Sequence, residues 1–201
     1  VVPESEQKIV SGLKHLQSIQ IYRIGRQIEV PVRIKYRSPK KLGNDRKVNV
    51  FGALEHAKPP FVIFDFGTAT TVDFVSQDGV FEGGWILPGI EMGLQALHEG
   101  TALLPRIRKM GPVRTFLGQD TITGMLGGAL QGCGAMVDGL TDRLRRRYGR
   151  NVKTIATGGA VDIIRGYCSG FDIVDRELTL RSIGWIYEYW RKRSKAETRD
   201  E

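Results

Sequence analysis

The fifteen-residue stretch from Phe61 to Val75, FVIFDFGTATTVDFV, limits what this chain can fold into more than any other. An apolar run rich in aromatic and β-branched residues reaches Asp65, breaks at Gly67 and resumes, the pattern of two strands joined by a short turn. The turn carries the hydroxyls of Thr68, Thr70 and Thr71, with the Asp65 carboxylate at its mouth. Gly67 lacks the Cβ that would hold a ligand away from the backbone, and amide and hydroxyl donors suit phosphate oxygens. Asp65 at a strand end could hold a cation or orient a water. The same residues would serve equally as a threonine-rich turn in which the Asp satisfies its own backbone. By itself the stretch leaves both readings open.

The flanking sequence extends the sheet. Gln77-Asp78-Gly79 is a second turn signal, and Val80 to Leu87 reads as a third strand, giving an antiparallel meander with a bend permitted at Gly83-Gly84. Pro88 then starts a helix with Ile90, Leu94 and Leu97 on one face and His98 near its end. Asp120 is the natural N-cap of a long helix over Ile122 to Tyr148. That helix is crowded with Gly124, Gly127, Gly128, Ala129, Gly132, Gly134 and Ala135. Glycine costs about 1 kcal/mol against alanine in a helix, so such a run implies very close packing, for which a subunit interface is one setting. Val152 to Ala160 runs as a strand into Gly158-Gly159 and a helix, a place where backbone amides meet a ligand. It has neither the Gly-x-Gly-x-x-Gly nor the Walker spacing. Phe171 to Val174 reads as a last short strand and Glu177 to Arg193 as a last helix, before a polar tail over Lys195 to Glu201.

Upstream, Ile9, Val10, Leu13 and Leu16 give helical spacing over Pro3 to Gln20, and Ile28, Val30, Val32, Ile34 and Tyr36 alternate as a half-buried strand. Pro39 and Gly43 mark a loop, and Asn44 or Asp45 would cap a helix running to about His56. Asp45 is either only that cap or, beside Arg46 on a positioned loop, a base able to accept a proton from a substrate hydroxyl. Lys58-Pro59-Pro60 is a linker and marks a domain boundary.

With 201 residues, 41% hydrophobic and 26% charged, the chain can bury one large core or two small ones. No apolar run approaches the roughly 20 residues needed to span a bilayer, and no secretory signal opens the sequence. Cys133 and Cys168 and three scattered histidines lack metal-ligand spacing, so reduced thiols rather than a zinc site are expected. The net charge of +8 is concentrated in Arg143 to Arg150 and in Arg191 to Lys195, both at predicted helix C-termini, where cations complement the dipole. No aromatic-and-basic stripe accompanies them, so a nucleic-acid partner is not expected. The first residue is Val1 rather than Met, from which an upstream segment is expected.

Taken together, Tyr36…Pro39…Leu42-Gly43-Asn44-Asp45-Arg46…Asn49, Asp65-Phe66-Gly67-Thr68-Ala69-Thr70-Thr71…Asp73, Gly83-Gly84…Pro88-Gly89, Thr101-Ala102…Leu104-Pro105, Thr121 and Ala156-Thr157-Gly158-Gly159 resemble type III pantothenate kinase, in order over nearly the whole chain. The resemblance implies an α/β fold of the acetate and sugar kinase/Hsc70/actin superfamily. That fold has two ribonuclease-H-like halves, with residues 1–58 the remainder of an incomplete first half and 61–201 the second. It implies ATP-dependent phosphorylation of pantothenate to 4′-phosphopantothenate, the first step of coenzyme A biosynthesis, in a cytoplasmic homodimer. The alternative is a non-catalytic relative acting as regulator or binding partner. By resemblance Asp45 is the general base, and Tyr36, Gly43, Asn44, Asp45, Arg46 and Thr121 hold pantothenate. Thr68 meets ATP, and Asp65 holds a monovalent cation (K⁺ or NH₄⁺) beside Mg-ATP. A four-residue turn over Gly67 to Thr70 would set Asp65 opposite Val72 and send Asp73 to the other face, leaving the cation to Asp65 alone.

Three departures from the family pattern stand out. Its Asp-x-Gly-Asn-Thr phosphate loop is absent from this sequence and is expected upstream of Val1; without it the phosphate site would be half-built and a sheet edge unpaired. Asp120 stands where Asn is expected, placing a negative charge beside Thr121. Arg181-Ser182-Ile183 stands where Glu-Gly-Leu is expected, which raises a question of local packing.

Overall fold

The hairpin forms, and it is tighter than expected. In a computed structural model describing residues 3–14 and 19–197, strands β2 (Phe61–Phe66) and β3 (Ala69–Val75) are joined by Gly67 and Thr68 alone. The register pairs Phe66 with Thr70, Asp65 with Thr71 and Ile63 with Asp73. Directly opposed residues of an antiparallel pair share a face, as do residues two apart. Asp65, Thr71 and Asp73 therefore lie on one face, and the expectation that Asp73 points away from Asp65 is corrected. The error was one residue: Ala69 has no partner in β2, so three residues, Gly67 to Ala69, and not four separate the last paired residues Phe66 and Thr70.

Strand β4 (Val80–Pro88) completes the antiparallel meander. β5 (Lys153–Thr157) runs parallel to β2, and β6 (Ile173–Val174) parallel to β5. With β1 (Arg33–Ile34) parallel to β4 at the other edge, the sheet order is β1-β4-β3-β2-β5-β6. The α/β class is borne out, and a meander followed by two parallel strands matches the ribonuclease-H-like arrangement. The strand expected over Ile28 to Tyr36 pairs over only two residues. Its alternation is nonetheless real in burial, with Ile28 and Val30 inside, while Pro31 has no N–H for a ladder.

Helices cover both faces. Val62, Phe64, Phe66, Val72 and Phe74 pack against α3 (Ile90–Glu99), α4 (Thr121–Tyr148) and α5 (Val161–Ile164) through Leu94, Leu130, Val137 and Ile164. Phe61, Ile63, Val75, Phe81 and Ile155 pack against α2 (Asn44–His56) and α6 (Leu178–Glu197). In α2 every residue from Val48 to Ala53 is buried. A helix buried all round must be covered on several sides: the sheet, α6 and the Ile28–Val30 segment do this.

Local expectations fare unevenly. Asp120 caps α4 in a reciprocal capping box with Thr123, as expected. The Thr123 backbone N–H donated to its carboxylate lowers the Asp120 pKa. The cap of α2 is Gly43, not Asn44 or Asp45. Pro88 ends β4 rather than starting α3, whose cap is Gly89, and Leu97 on that helix is exposed rather than packed. The first helix, α1, spans Pro3–Lys14; Leu16 lies outside the described residues, and Ile19 and Gln20 are not helical. α6 continues to Glu197, into the stretch expected as a polar tail, of which residues 198–201 lie outside the described ones. Ser182, where glycine was expected, is fully buried, donates to the Leu178 carbonyl at 2.5 Å and packs on Gly52, which has no side chain to oppose it. The basic residues Arg145, Arg146 and Arg147 fall in the last turn of α4, as expected.

Candidate active site

The parallel pairing of β2 with β5 sets Asp65 beside Thr157 at the carboxyl ends of both strands. Ligands in open α/β sheets gather beyond such ends. Two glycine-bearing turns leave there, Gly67-Thr68 and Gly158-Gly159, tied together by the Ala160 amide donating to the Phe66 carbonyl. Gly158 has φ +95°, and a Cβ on it would lie 2.6 Å from Asp65 Oδ1 and 2.7 Å from the Phe66 backbone. Only glycine permits this approach.

On the polar face of the hairpin, α2 supplies partners at one-turn spacing. Asn49, fully buried, donates Nδ2 to Asp65 Oδ2 at 2.8 Å and accepts at Oδ1 from the Thr179 hydroxyl of α6 at 2.7 Å. Three residues earlier, Arg46 donates Nε and Nη2 to Asp73 Oδ1 at 2.7 and 2.5 Å. Residues three apart share a helix face, which lets one helix hold both carboxylates. Burial raises the Asp65 pKa, the Asn49 bond opposes the shift and the Asp45 charge adds to it. Burial likewise raises Asp73, against the bonds and charge of Arg46. Asp45 thus stands within electrostatic reach of both acids. It is exposed in the first turn of α2, and a Cβ on Gly43 would come within 2.4 Å of its Oδ1.

Tyr36, Gly43, Asn44, Asp45 and Arg46 line a single cavity of about 970 Å³, together with Thr71. Thr68 lines a second, of about 720 Å³, with Phe66, Gly67, Gly159, Ala160 and one side of α3 from Ile90 to Glu99. Asp65 is on the wall of neither. Its cross-strand partner Thr71 faces the first and its chain neighbours Phe66 and Gly67 face the second, so it stands on the ridge between them. Thr121, exposed at the start of α4, reaches neither cavity within one chain.

The sequence assigns no role to Asn49 or Asp73, and the Thr71 hydroxyl counts there only as one of three phosphate donors. Three residues rather than four between the paired ends put Asp73 on the Asp65 face. Nothing local announces the Thr179–Asn49 bond, which joins distant parts of the chain.

Comparison with known proteins gives the family. A family model described as type III pantothenate kinase matches residues 1–143. The type III pantothenate kinase of Caulobacter vibrioides is 36% identical over 188 residues, covering 93% of this chain and 72% of that protein. That of Persephonella marina is 36% identical over 189 residues, covering 94% and 74%. Among solved structures, a Campylobacter jejuni protein described as a conserved Baf family transcriptional activator superposes with a TM-score of 0.55 at 21% identity, over 81% of this chain and 71% of its own. That likeness speaks to fold alone.

Proposed function

The chain belongs to the type III pantothenate kinase family, and we propose that it moves the terminal phosphoryl group of ATP to the hydroxyl of pantothenate with Asp45 as the base. The observation that carries this division of work is the ridge at Asp65 between two cavities. Pantothenate in the Tyr36–Arg46 cavity and ATP in the Thr68–Gly159 cavity bring acceptor hydroxyl and phosphate together at that ridge. Asp45 is not the N-cap of α2; its Oδ1 accepts the Arg46 backbone N–H at 2.9 Å, and its carboxylate accepts the hydroxyl proton. Tyr36, Gly43, Asn44 and the Arg46 guanidinium hold the acceptor, whose carboxylate suits a cationic fork. Thr68 and the neighbouring turn amides serve the phosphates. Phosphoryl transfer is mainly positioning and charge neutralisation, and these residue types supply both.

Asp65 fits a monovalent cation, K⁺ or NH₄⁺. One of its oxygens is committed to Asn49, the other faces the Gly158 turn, and its raised pKa would be relieved by a positive neighbour. Among the described residues no group of three or more His, Cys, Asp or Glu gathers to hold a metal, which suits Mg²⁺ arriving with the nucleotide phosphates. The cation would neutralise phosphate charge.

We also propose a homodimer through α4, where a Cβ at Gly124, Gly128 or Gly132 would meet open space. A second copy packed there would account for these glycines and could bring the partner's Thr121 to the acceptor cavity. Residues 61–201 are taken as the second ribonuclease-H-like half and 1–58 as the remainder of the first, working in the cytoplasm where ATP is supplied. No helix among the described residues is long and apolar enough to cross a membrane.

The test is potassium-dependent formation of phosphopantothenate from Mg-ATP and pantothenate by the full-length protein. We expect turnover in the wild type and a loss of about 10²- to 10⁴-fold in Asp45→Asn. A folded wild type without turnover, or an Asp45→Asn variant at full rate, would overturn the reading.

A further inference from the structure

The buried pair of Arg46 and Asp73 lies under the acceptor cavity, and the division of work above gives Asp73 no part. We propose that Asp73 is the positioning residue for Arg46, fixing the guanidinium in the orientation from which it serves the cavity. The identity of the substrate rests on the kinase reading; the pairing does not.

Asp73 is 0% exposed and Arg46 6%. Two donors of Arg46, Nε and one Nη2 hydrogen, converge on Asp73 Oδ1, while the Thr71 hydroxyl donates to Oδ2 at 3.3 Å. Below the guanidinium the Phe81 ring lies 5.4 Å from its carbon. A guanidinium has five N–H donors, so three remain for the cavity that Arg46 lines. Without Asp73, the exposed carboxylate of Asp45, the adjoining residue, is an alternative acceptor for a released guanidinium. An ion pair there would withdraw Arg46 from the acceptor. Asp73 keeps the two functional neighbours apart. A stability role alone explains the pair poorly, because a buried ion pair gains little over an apolar pair of equal volume. Its geometry, with guanidinium, carboxylate, hydroxyl and ring all converging, is that of a mount.

Asp73→Asn keeps the side-chain size and removes the charge. The expected result is a rise in the KM for pantothenate of about 10- to 100-fold, the loss of a charged hydrogen bond. The KM for ATP and kcat should stay within about twofold, the signature of uniform acceptor binding. In a cycle with Arg46→Lys, the double variant should be no worse than Arg46→Lys alone, since both remove one interaction. Effects that multiply, or equal rises in both KM values, would overturn the proposal. Should Asp73→Asn not fold, the Arg46 Nε–H resonance of the wild type decides. Assigned by its disappearance in Arg46→Lys, it should exchange slowly with solvent before any pantothenate is added, and rapid exchange would overturn the mount. A wild type lacking turnover would remove the kinase reading while leaving this exchange measurement to judge the pairing.

Discussion

The two faces of the β2–β3 hairpin are made by the same residues in alternation and yet hold the molecule together differently. One face presents Val62, Phe64, Phe66, Val72 and Phe74 to α3, α4 and α5. The other begins alike, with Phe61, Ile63 and Val75, but toward the turn it becomes Asp65, Thr71 and Asp73. The apolar face is stabilised in proportion to area removed from water, without regard to direction. The polar end gains little from burial and must be satisfied bond by bond, by Asn49 for Asp65 and Arg46 for Asp73. Stability can be spread over many exchangeable contacts. A site needs a few bonds that cannot be exchanged.

The comparison breaks most readily at Phe64. This ring is fully buried and stacks on Phe66 with centroids 6.3 Å apart. Phe64→Ala should cost about 3–5 kcal/mol in urea unfolding, while the folded fraction keeps its pantothenate KM. A large change in KM at full stability would show that the two faces are not separable.

Asn49→Ala should have the opposite character. It leaves Asp65 and Thr179 without their shared partner, for a stability loss of about 1–3 kcal/mol. Its larger effect should be on turnover, through a displaced Asp65, read from kcat at saturating ATP and acceptor. A stability loss with unchanged kcat would place Asn49 with the scaffold.

The smallest effect concerns pH. The folded pKa of Asp65 is raised above the ordinary 3.8, chiefly by burial. The folded state therefore keeps this proton where the unfolded chain has lost it. Stability should fall as pH rises from about 3.8 through the raised value. Asp65→Asn should flatten that part of the slope, measured by urea unfolding at stepped pH in potassium-free buffer. An unchanged slope would assign the dependence to Asp73 or elsewhere.

How much of this was legible in advance differs along the chain. The hairpin, the Asp120 cap and the strand running into Gly158-Gly159 follow from local chemistry, which the sequence displays directly. Tyr36 and the Gly43–Arg46 loop were grouped by resemblance and converge on one cavity. Turn length was not legible, because Gly67 to Thr70 satisfies both a three- and a four-residue turn, and that one-residue choice decides the face of Asp73. The cap of α2 was misplaced for a related reason: Asn44 and Asp45 are good caps, but Gly43 leaves room for the Asp45 carboxylate to fold back over it. Bonds such as Thr179 to Asn49 depend on tertiary approach, to which no local pattern is sensitive.

The contact of Gly52 with Ser182 has a consequence for how change can accumulate here. A Cβ on Gly52 would fall 1.8 Å from the Ser182 hydroxyl, so the two positions share one volume. A serine at 182 is admissible because position 52 carries nothing, and it then bars every larger residue from position 52. The two sites form a ratchet: a step at one is recorded as a prohibition at the other, and variation at the α2–α6 crossing has to be followed as a pair, in the order in which it occurred.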